Sequence, residues 1–213
     1  GTLTNAAGTA GLVIKSDATG TGSLIHATTN TPGTIERYIT GSSDLNIQKY
    51  HLVSVPLTTE NASSSDLFSG SYLYGFEEST NSWIPYGSAT NTPLDEIKGF
   101  MVYYPSASRT YQFTGNLNTG DFTPALSGIN SPGLDRGWNL IPNPYPSSID
   151  WDLVTNRSNV DGTIYIWPAA GPGNSSNYYS YAAGVSTPPD ALNGEVAVGQ
   201  SFFVHANASA PSI

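Results

Sequence analysis

An internal repeat constrains the fold of this chain more than any other sequence feature. The first copy consists of an apolar strand ending in proline, a hairpin with aromatic arms and a glycine-led apolar strand: Tyr50–Pro56, Ser71–Phe76 with Trp83 after it, and Leu94–Tyr104. The second copy has the same elements in the same order: Trp138–Pro144, Gly162–Trp167, Tyr178–Tyr181 and Gly194–His205. The outer elements share a pattern, since the first begins aromatic-polar-Leu-aliphatic and the last contains Phe, then an aromatic or Met, then Val. We therefore predict a duplicated β unit with about four short strands in each copy.

The composition agrees with strands rather than helices. Among 213 residues there are 22 glycines and 15 prolines, which are poorly tolerated within long helices. The 38% of hydrophobic residues is enough to fill a core, which argues against disorder. Because Pro56, Pro142 and Pro144 cannot donate to a β-ladder, we place them at strand ends or edges. We predict an all-β fold, a β-sandwich or jelly roll built from the two repeats.

A different pattern precedes the first repeat. Short apolar runs such as Leu12–Ile14 and Leu24–Ile25 recur between Gly, Asn, Thr and Ser turns at intervals of about 10 to 12 residues. This spacing fits the end of a β-solenoid, and it fits edge strands of a sandwich equally well. We therefore predict an N-terminal β segment over 1–33, a first repeat over 34–126 and a second over 134–213, with the two repeats sharing one sandwich.

Charge excludes several classes of partner. The formal net charge is −9, only 11% of the residues are charged, and no cluster of Lys or Arg occurs. Nucleic acid and anionic membrane surfaces are therefore not expected as partners. No apolar run reaches the roughly 18 residues of a membrane-spanning helix, and no cysteine is available for a disulfide.

We also expect this chain outside the cell. A sparsely charged, polar and acidic composition is typical of an extracellular or outer-surface location. Residues 1–10 lack the features of a signal peptide, so we expect a processed chain or a segment of a longer protein.

Candidate catalytic groups are few. No Gly-x-Ser-x-Gly motif occurs, and His26, His51 and His205 stand alone in apolar segments. The adjacent carboxylates Glu77-Glu78 and Asp95-Glu96 point to opposite faces of an extended strand, which suits surface charges better than paired catalysis. We assign no catalytic residue and expect a non-enzymatic protein, with a polysaccharide hydrolase or lyase as the alternative.

One pair of carboxylates has the spacing of a cation site. Asp150 and Asp152 lie on the same face if the segment is extended, where they could bind calcium together with backbone carbonyls. The alternative is that Ser147–Asp150 begins a short helix by N-capping. Calcium is thus the one possible cofactor that the sequence indicates, and we predict no other.

Aromatic residues among uncharged polar turns suggest carbohydrate as a ligand. Sugars stack on flat rings and hydrogen-bond to amide and carboxyl groups. The candidate ligand-binding residues lie in corresponding hairpins of the two repeats: Trp83, Tyr86, Trp167, Tyr178 and Tyr179. The alternative is that these rings fill the core, as we expect for Tyr72, Tyr74, Phe100, Trp138 and Phe202.

The segment Gly137–Trp151, GWNLIPNPYPSSIDW, resembles the GWNLIGNPYPSxIDW motif of large secreted and surface proteins exported by the type IX secretion system. It departs from that motif mainly at Pro142, where glycine is common. Residues 12–25 and 36–39 are similar to the region that joins β-solenoid repeats to this module. The resemblance implies an extracellular module of a larger chain, in a family that includes both adhesins and polysaccharide-acting enzymes. With the aromatic candidates and the lack of catalytic motifs, we predict a non-catalytic module in carbohydrate binding or adhesion, or a structural spacer. The resemblance also implies flanking domains, and the aromatic candidates predict a polysaccharide or cell-surface glycan as partner.

Overall fold

The computed structural model describes residues 2–44, 48–58, 67, 69–86, 94–128, 136–169 and 177–213. In these residues the chain forms short β-strands and three single-turn 3-10 helices (Thr9–Gly11, Glu78–Thr80 and Trp151–Leu153). The strands are β1 Val13–Ile14, β2 Ser16–Asp17, β3 Gly20–Thr21, β4 Pro32–Thr40, β5 Tyr50–Val53, β6 Leu57–Thr58, β7 Tyr72–Glu77, β8 Ser82–Tyr86, β9 Phe100–Tyr103, β10 Ser108–Leu117, β11 Trp138–Pro142, β12 Ile149–Asp150, β13 Val160–Ile166, β14 Tyr179–Ala182, β15 Val185–Thr187, β16 Glu195–Val196 and β17 Ser201–Ala206. The predicted all-β, sandwich-like fold is confirmed. Within the described ranges, no helix is long and apolar enough to span a membrane.

The two copies of the repeat form sheets with the same strand order. The first copy gives β5-β9-β7-β8, and the second gives β11-β17-β13-β14 with β15 added at the edge. The registers correspond as well, because Leu52 lies opposite Met101 in the first sheet and Leu140 lies opposite Phe203 in the second. The similarity in sequence therefore extends to which residues face each other across the strands.

The first repeat sheet packs against a third sheet, β1-β4-β10-β6. The long antiparallel pair β4 and β10 forms the middle of this sheet. One buried cluster fills the space between the two sheets, and Val198 of the second repeat also belongs to it. Its members include Ile35, Ile39, Val53, Leu73, Phe100, Val102, Tyr111 and Phe113.

The second repeat sheet has its own buried cluster. Trp151, Phe202 and Val204 lie at its centre, and partly buried side chains such as Leu126 and Ile213 pack around it. The short pair β12 and β16 lies beside it. This cluster covers one face of the sheet and leaves the other face for different contacts.

Backbone hydrogen bonds join the two repeats directly. Val53 and Gln200 form an isolated antiparallel bridge, and the Ser54 amide donates to the Gly199 carbonyl at 3.0 Å. The Gly99 amide donates to the Leu140 carbonyl at 3.3 Å. The two repeat sheets are thus held in a fixed relation by the ends of β5 and β9.

The N-terminal segment adds edge structure to the third sheet. β1 pairs in parallel with β4, and β2 and β3 form a two-stranded hairpin. The Leu24 amide donates to the Pro146 carbonyl at 2.8 Å, which ties the segment to the second repeat. The predicted link between the repeats over 127–133 lies largely outside the described residues.

A buried histidine in β5 gives the fold a testable pH dependence. The His51 ring lies 2.7 Å from the Thr40 carbonyl through Nε2, and burial, with a contribution from the Arg37 guanidinium, lowers its pKa to about 4. In an unfolded chain the same imidazole has a pKa near 6.5. As the pH falls, His51 is therefore protonated in the unfolded state before it is protonated in the folded state. The contribution of the neutral His51 ring to stability is complete above about pH 6.5 and is lost progressively toward pH 4.

Between pH 7 and pH 4 we expect the free energy of unfolding to fall less in His51→Asn than in the wild type. The slope of this free energy against pH should differ between the two proteins by an amount that corresponds to close to one bound proton per molecule. Asparagine is the matched choice because Asn139 occupies the equivalent position in the second repeat. Urea denaturation across this pH range measures the difference. Equal pH slopes for the two proteins would contradict the prediction.

Candidate functional site

Each repeat sheet has one face toward its core and one open face. Because side chains alternate along a strand, residues paired across strands share a face. In the β7–β8 hairpin, Leu73 pairs with Tyr86 on the core face, whereas Phe76 pairs with Trp83 on the open face. The two candidates of the first repeat therefore lie on opposite faces of the same hairpin.

The open faces of the two sheets meet at Phe203. This ring is only 4% exposed. Its centroid lies 4.9 Å from Phe76, 5.9 Å from Trp83 and 5.6 Å from Tyr178, all in edge-to-face geometry. Rings from both repeats thus converge on one buried phenylalanine.

Around Phe203 lies an aromatic cleft of about 340 Å³. We use the name aromatic cleft for this space, and its lining residues are Phe76, Asn81, Trp83, Trp138, Tyr165, Tyr178 and Phe203. Six of the seven lining residues are aromatic, and Asn81 contributes an amide at the tip of the hairpin. The volume falls in the range of about 300 to 1,000 Å³ that is usual for small-molecule sites.

Local structure places the hairpin tip against the second sheet. The 3-10 helix Glu78–Thr80 joins β7 to β8, and Asn81 follows it in the left-handed region with φ of 49°. The Glu78 Oε1 atom accepts a hydrogen bond from the Gly137 amide at 2.7 Å, just before β11. This contact fixes Trp83 beside the open face of the second repeat.

The predicted ligand-binding residues are partly brought together. Trp83 and Tyr178 line the aromatic cleft, and Trp167 packs edge-on against Tyr178 at 5.0 Å. Tyr86 packs edge-on against Phe100 at 5.7 Å and lines a neighbouring groove instead. Tyr179 pairs with Ile166 on the opposite face of the second sheet, away from the aromatic cleft.

Two rings of the aromatic cleft, Trp138 and Tyr165, were not among the predicted site residues. Trp138 had been expected in the core, but it is only half-buried and lies 4.9 Å from Tyr165 on the open face. An alignment of the two repeats could have identified them, because Trp138 and Tyr165 align with Tyr50 and Tyr74. These two tyrosines lie 6.2 Å apart on the open face of the first sheet.

The expectation of core positions is confirmed for some rings and wrong for another. Phe100 and Phe202 are each 1% exposed. Tyr72 is 54% exposed and stacks on Tyr103 with ring centroids 5.7 Å apart. Tyr72 lies at the start of β7, whereas Tyr103, which pairs with it on the same face, is only 2% exposed.

Protonation in the aromatic cleft is simple. Burial raises the pKa of Tyr178 to about 12, so its phenol is neutral at physiological pH. A neutral phenol can both donate and accept hydrogen bonds. The aromatic cleft thus presents apolar ring faces together with uncharged polar groups.

The predicted carboxylate pair has local structural partners. Asp150 Oδ1 accepts from the Asp152 amide at 3.0 Å and caps the 3-10 helix Trp151–Leu153, as in the N-cap alternative. Asp152 Oδ2 accepts from the Tyr181 hydroxyl at 2.5 Å, and this bond raises the pKa of that phenol. Among the residues with described positions, no group of three or more His, Cys, Asp or Glu side chains is arranged to hold a metal ion.

Within the described ranges there is one His–Asp contact, and no hydroxyl group is hydrogen-bonded to its histidine ring. His205 Nδ1 lies 3.0 Å from Asp161 Oδ2, and its Nε2 lies 3.0 Å from the Arg136 carbonyl rather than from a hydroxyl. The Arg136 carbonyl thus takes the position that a serine hydroxyl occupies in a catalytic triad.

Comparison with curated proteins and with solved structures finds no match. A family model described as a domain of unknown function, DUF8693, matches residues 4–213. That match covers almost the whole chain, both repeats and the N-terminal segment included. The chain therefore belongs to the DUF8693 family.

Proposed function

We propose that this domain is a non-catalytic carbohydrate-binding module of a larger secreted or cell-surface protein. The observation that carries the proposal is the aromatic cleft, where rings from both repeats surround one buried phenylalanine. Ring faces bind the C–H faces of sugars, and the neighbouring amide and phenol groups hydrogen-bond sugar hydroxyls.

Adhesion to a glycan surface is the role that this proposal gives to the parent protein. An acidic, sparsely charged chain that resembles modules of type IX secretion substrates suits an extracellular setting. A protein that holds itself to a polysaccharide needs a binding site rather than a catalytic one. The proposal therefore includes an outer-surface location and flanking domains that carry other activities.

Replacing Trp83 with alanine is expected to weaken glycan binding about tenfold or more, because an aromatic face that stacks on a sugar is removed. The thermal midpoint should change by only a few degrees, since Trp83 is half-buried at a hairpin. Retention on insoluble polysaccharides and a glycan array measure binding, with and without calcium.

Tyr72→Ala is the matched control. It also removes an exposed ring from an open face, but Tyr72 lies outside the aromatic cleft. We expect this variant to bind like the wild type. A large loss of stability in Trp83→Ala would identify that ring as core, and a wild-type protein that binds no glycan would leave a structural spacer as the better account.

Intrinsic fluorescence gives a second readout. Two of the four tryptophans, Trp83 and Trp138, line the aromatic cleft, and Trp167 contacts its wall. Trp151 lies in the separate core of the second sheet. A ligand that enters the aromatic cleft should therefore shift the emission of the protein, and the shift should shrink in Trp83→Ala.

A further inference from the structure

Beside the aromatic cleft lies a second space of about 520 Å³, which we call the polar groove. Phe76 and Trp138 line both spaces, so they form a shared rim. The polar groove runs between the β7–β8 hairpin and β11, and Gly99 and Lys98 lie before β9 at its side. The aromatic cleft and the polar groove are therefore adjacent.

The lining of the polar groove differs from that of the aromatic cleft. Its lining includes the acidic residues Glu77 and Glu78, and its rings are Tyr86 and the two rim residues Phe76 and Trp138. Lys98 is the one basic side chain among its lining residues, and it lies 4.0 Å from Asp95. Acidic side chains therefore outnumber basic ones in the polar groove, and three rings are present for stacking.

The charges of the groove indicate which ligands it accepts. Glu77 is exposed at the end of β7, and its Oε1 accepts from the Ser79 hydroxyl at 2.8 Å. Carboxylates bind the hydroxyl groups of a neutral sugar well, whereas they repel the carboxylates or sulfates of an acidic polysaccharide. The net charge of −9 acts in the same direction at longer range.

We propose that the aromatic cleft and the polar groove together bind an extended stretch of a neutral polysaccharide chain. One part stacks in the aromatic cleft and the adjoining sugars hydrogen-bond in the groove. This inference rests on the proposed carbohydrate-binding function and adds two properties to it: selection by chain length and exclusion of acidic polysaccharides.

The test uses calorimetry with neutral oligosaccharides of two and of six units, taken from the cello-, laminari- and manno- series. We expect at least one six-unit sugar to bind about tenfold more tightly than its two-unit homologue, because only the longer chain fills both spaces. Sodium polygalacturonate serves as the acidic probe, and we expect no binding to it.

Ala125→Trp is designed to fill the groove while leaving the aromatic cleft intact. Ala125 is exposed and lines only the groove, so a larger side chain can be placed there without disturbing a core. We expect this variant to bind six-unit sugars no more tightly than two-unit sugars. Ala125→Ser is the matched control and should keep the wild-type preference.

The outcomes separate this inference from the proposed function. Equal affinities for both lengths in the wild type, or an unchanged preference in Ala125→Trp, would overturn the extended-chain inference. Binding of polygalacturonate that is lost in Trp83→Ala would overturn the exclusion of acidic chains and would leave carbohydrate binding intact. If the wild type binds none of these probes and no polysaccharide is retained, both proposals fail.

Discussion

Replacing Trp151 with alanine is expected to lower the free energy of unfolding by about 3 to 5 kcal/mol, the usual cost of deleting a large buried aromatic side chain. Trp151 is 1% exposed and packs edge-on against Phe202 at 5.6 Å. Its Nε1 donates to the Gly162 carbonyl at 2.8 Å, and the Arg157 guanidinium lies 4.6 Å from its ring. Alanine would therefore leave a cavity in the second core and remove the hydrogen bond to the Gly162 carbonyl.

Thermal and chemical unfolding measure the effect, and a shift of about 10 °C in the midpoint is expected for a domain of this size. Trp151→Phe is the matched control, because it keeps most of the ring volume and loses only the Nε1 donor. We expect it to fall between the wild type and Trp151→Ala. An alanine variant as stable as the wild type would show that Trp151 does not hold the second core together.

The similarity of the two repeat sheets could be predicted from the internal repeat. Each copy contains the same apolar strands and hairpin in the same sequence, and the two sheets have corresponding orders and registers. The short, aromatic, alternating segments were sufficient to predict strands. The third sheet, which packs against the first repeat sheet, was harder to predict from the sequence. Its central strands β4 and β10 pair across 67 intervening residues, between Thr40 and Ser108.

Which face of each hairpin is open could not be read from alternation. The period of two assigns Trp83 and Tyr86 to opposite faces, but it does not say which face another layer covers. The third sheet covers the side of Tyr86, and a different hairpin approaches the side of Trp83. Alternation does not predict the exposure of Tyr72 either, since Tyr72 and Tyr103 pair on one face and are 54% and 2% exposed.

The aromatic cleft itself depends on contacts between the repeats. The hydrogen bond from the Gly137 amide to Glu78 joins residues that are 59 positions apart, and no feature of either local segment predicts it. Comparison of equivalent positions would have identified Trp138 and Tyr165 as rings on an open face. Their convergence with Phe76 and Trp83 follows only from the relative placement of the two sheets.

Asn143 is a polar hub whose loss should also destabilise the protein strongly. The residue is 0% exposed, and its Nδ2 lies within 3.1 Å of the carbonyls of Ser147, Val196 and Ala197. Its Oδ1 accepts from the Tyr145 amide at 2.9 Å. Asn143→Ala would leave these buried groups without their partner, at a cost of about 2 to 4 kcal/mol.

Asn143→Asp is expected to be more damaging than Asn143→Ala at neutral pH. The new carboxylate keeps the bond from the Tyr145 amide, but it loses both donors and faces three carbonyl oxygens in a buried site. Burial and these acceptors disfavour the charged form, so the pKa of the introduced carboxyl group should lie above its ordinary value of about 3.9.

The sign of the pH effect then distinguishes the two variants. A carboxyl group with a raised pKa in the folded state destabilises increasingly as the pH rises from the unfolded value to the folded one. Protonation at lower pH restores one donor for a carbonyl, so the stability of Asn143→Asp relative to wild type should improve between pH 8 and pH 4. Asn143→Ala introduces no titratable group, so its loss of stability relative to the wild type should be the same at every pH.

Denaturant unfolding of both variants and of the wild type at each pH measures this difference. The contribution of His51 is common to all three proteins and therefore cancels. Parallel pH profiles for the two variants would mean that the introduced carboxyl group reaches solvent, and that the site of Asn143 is less tightly closed than its hydrogen bonds indicate.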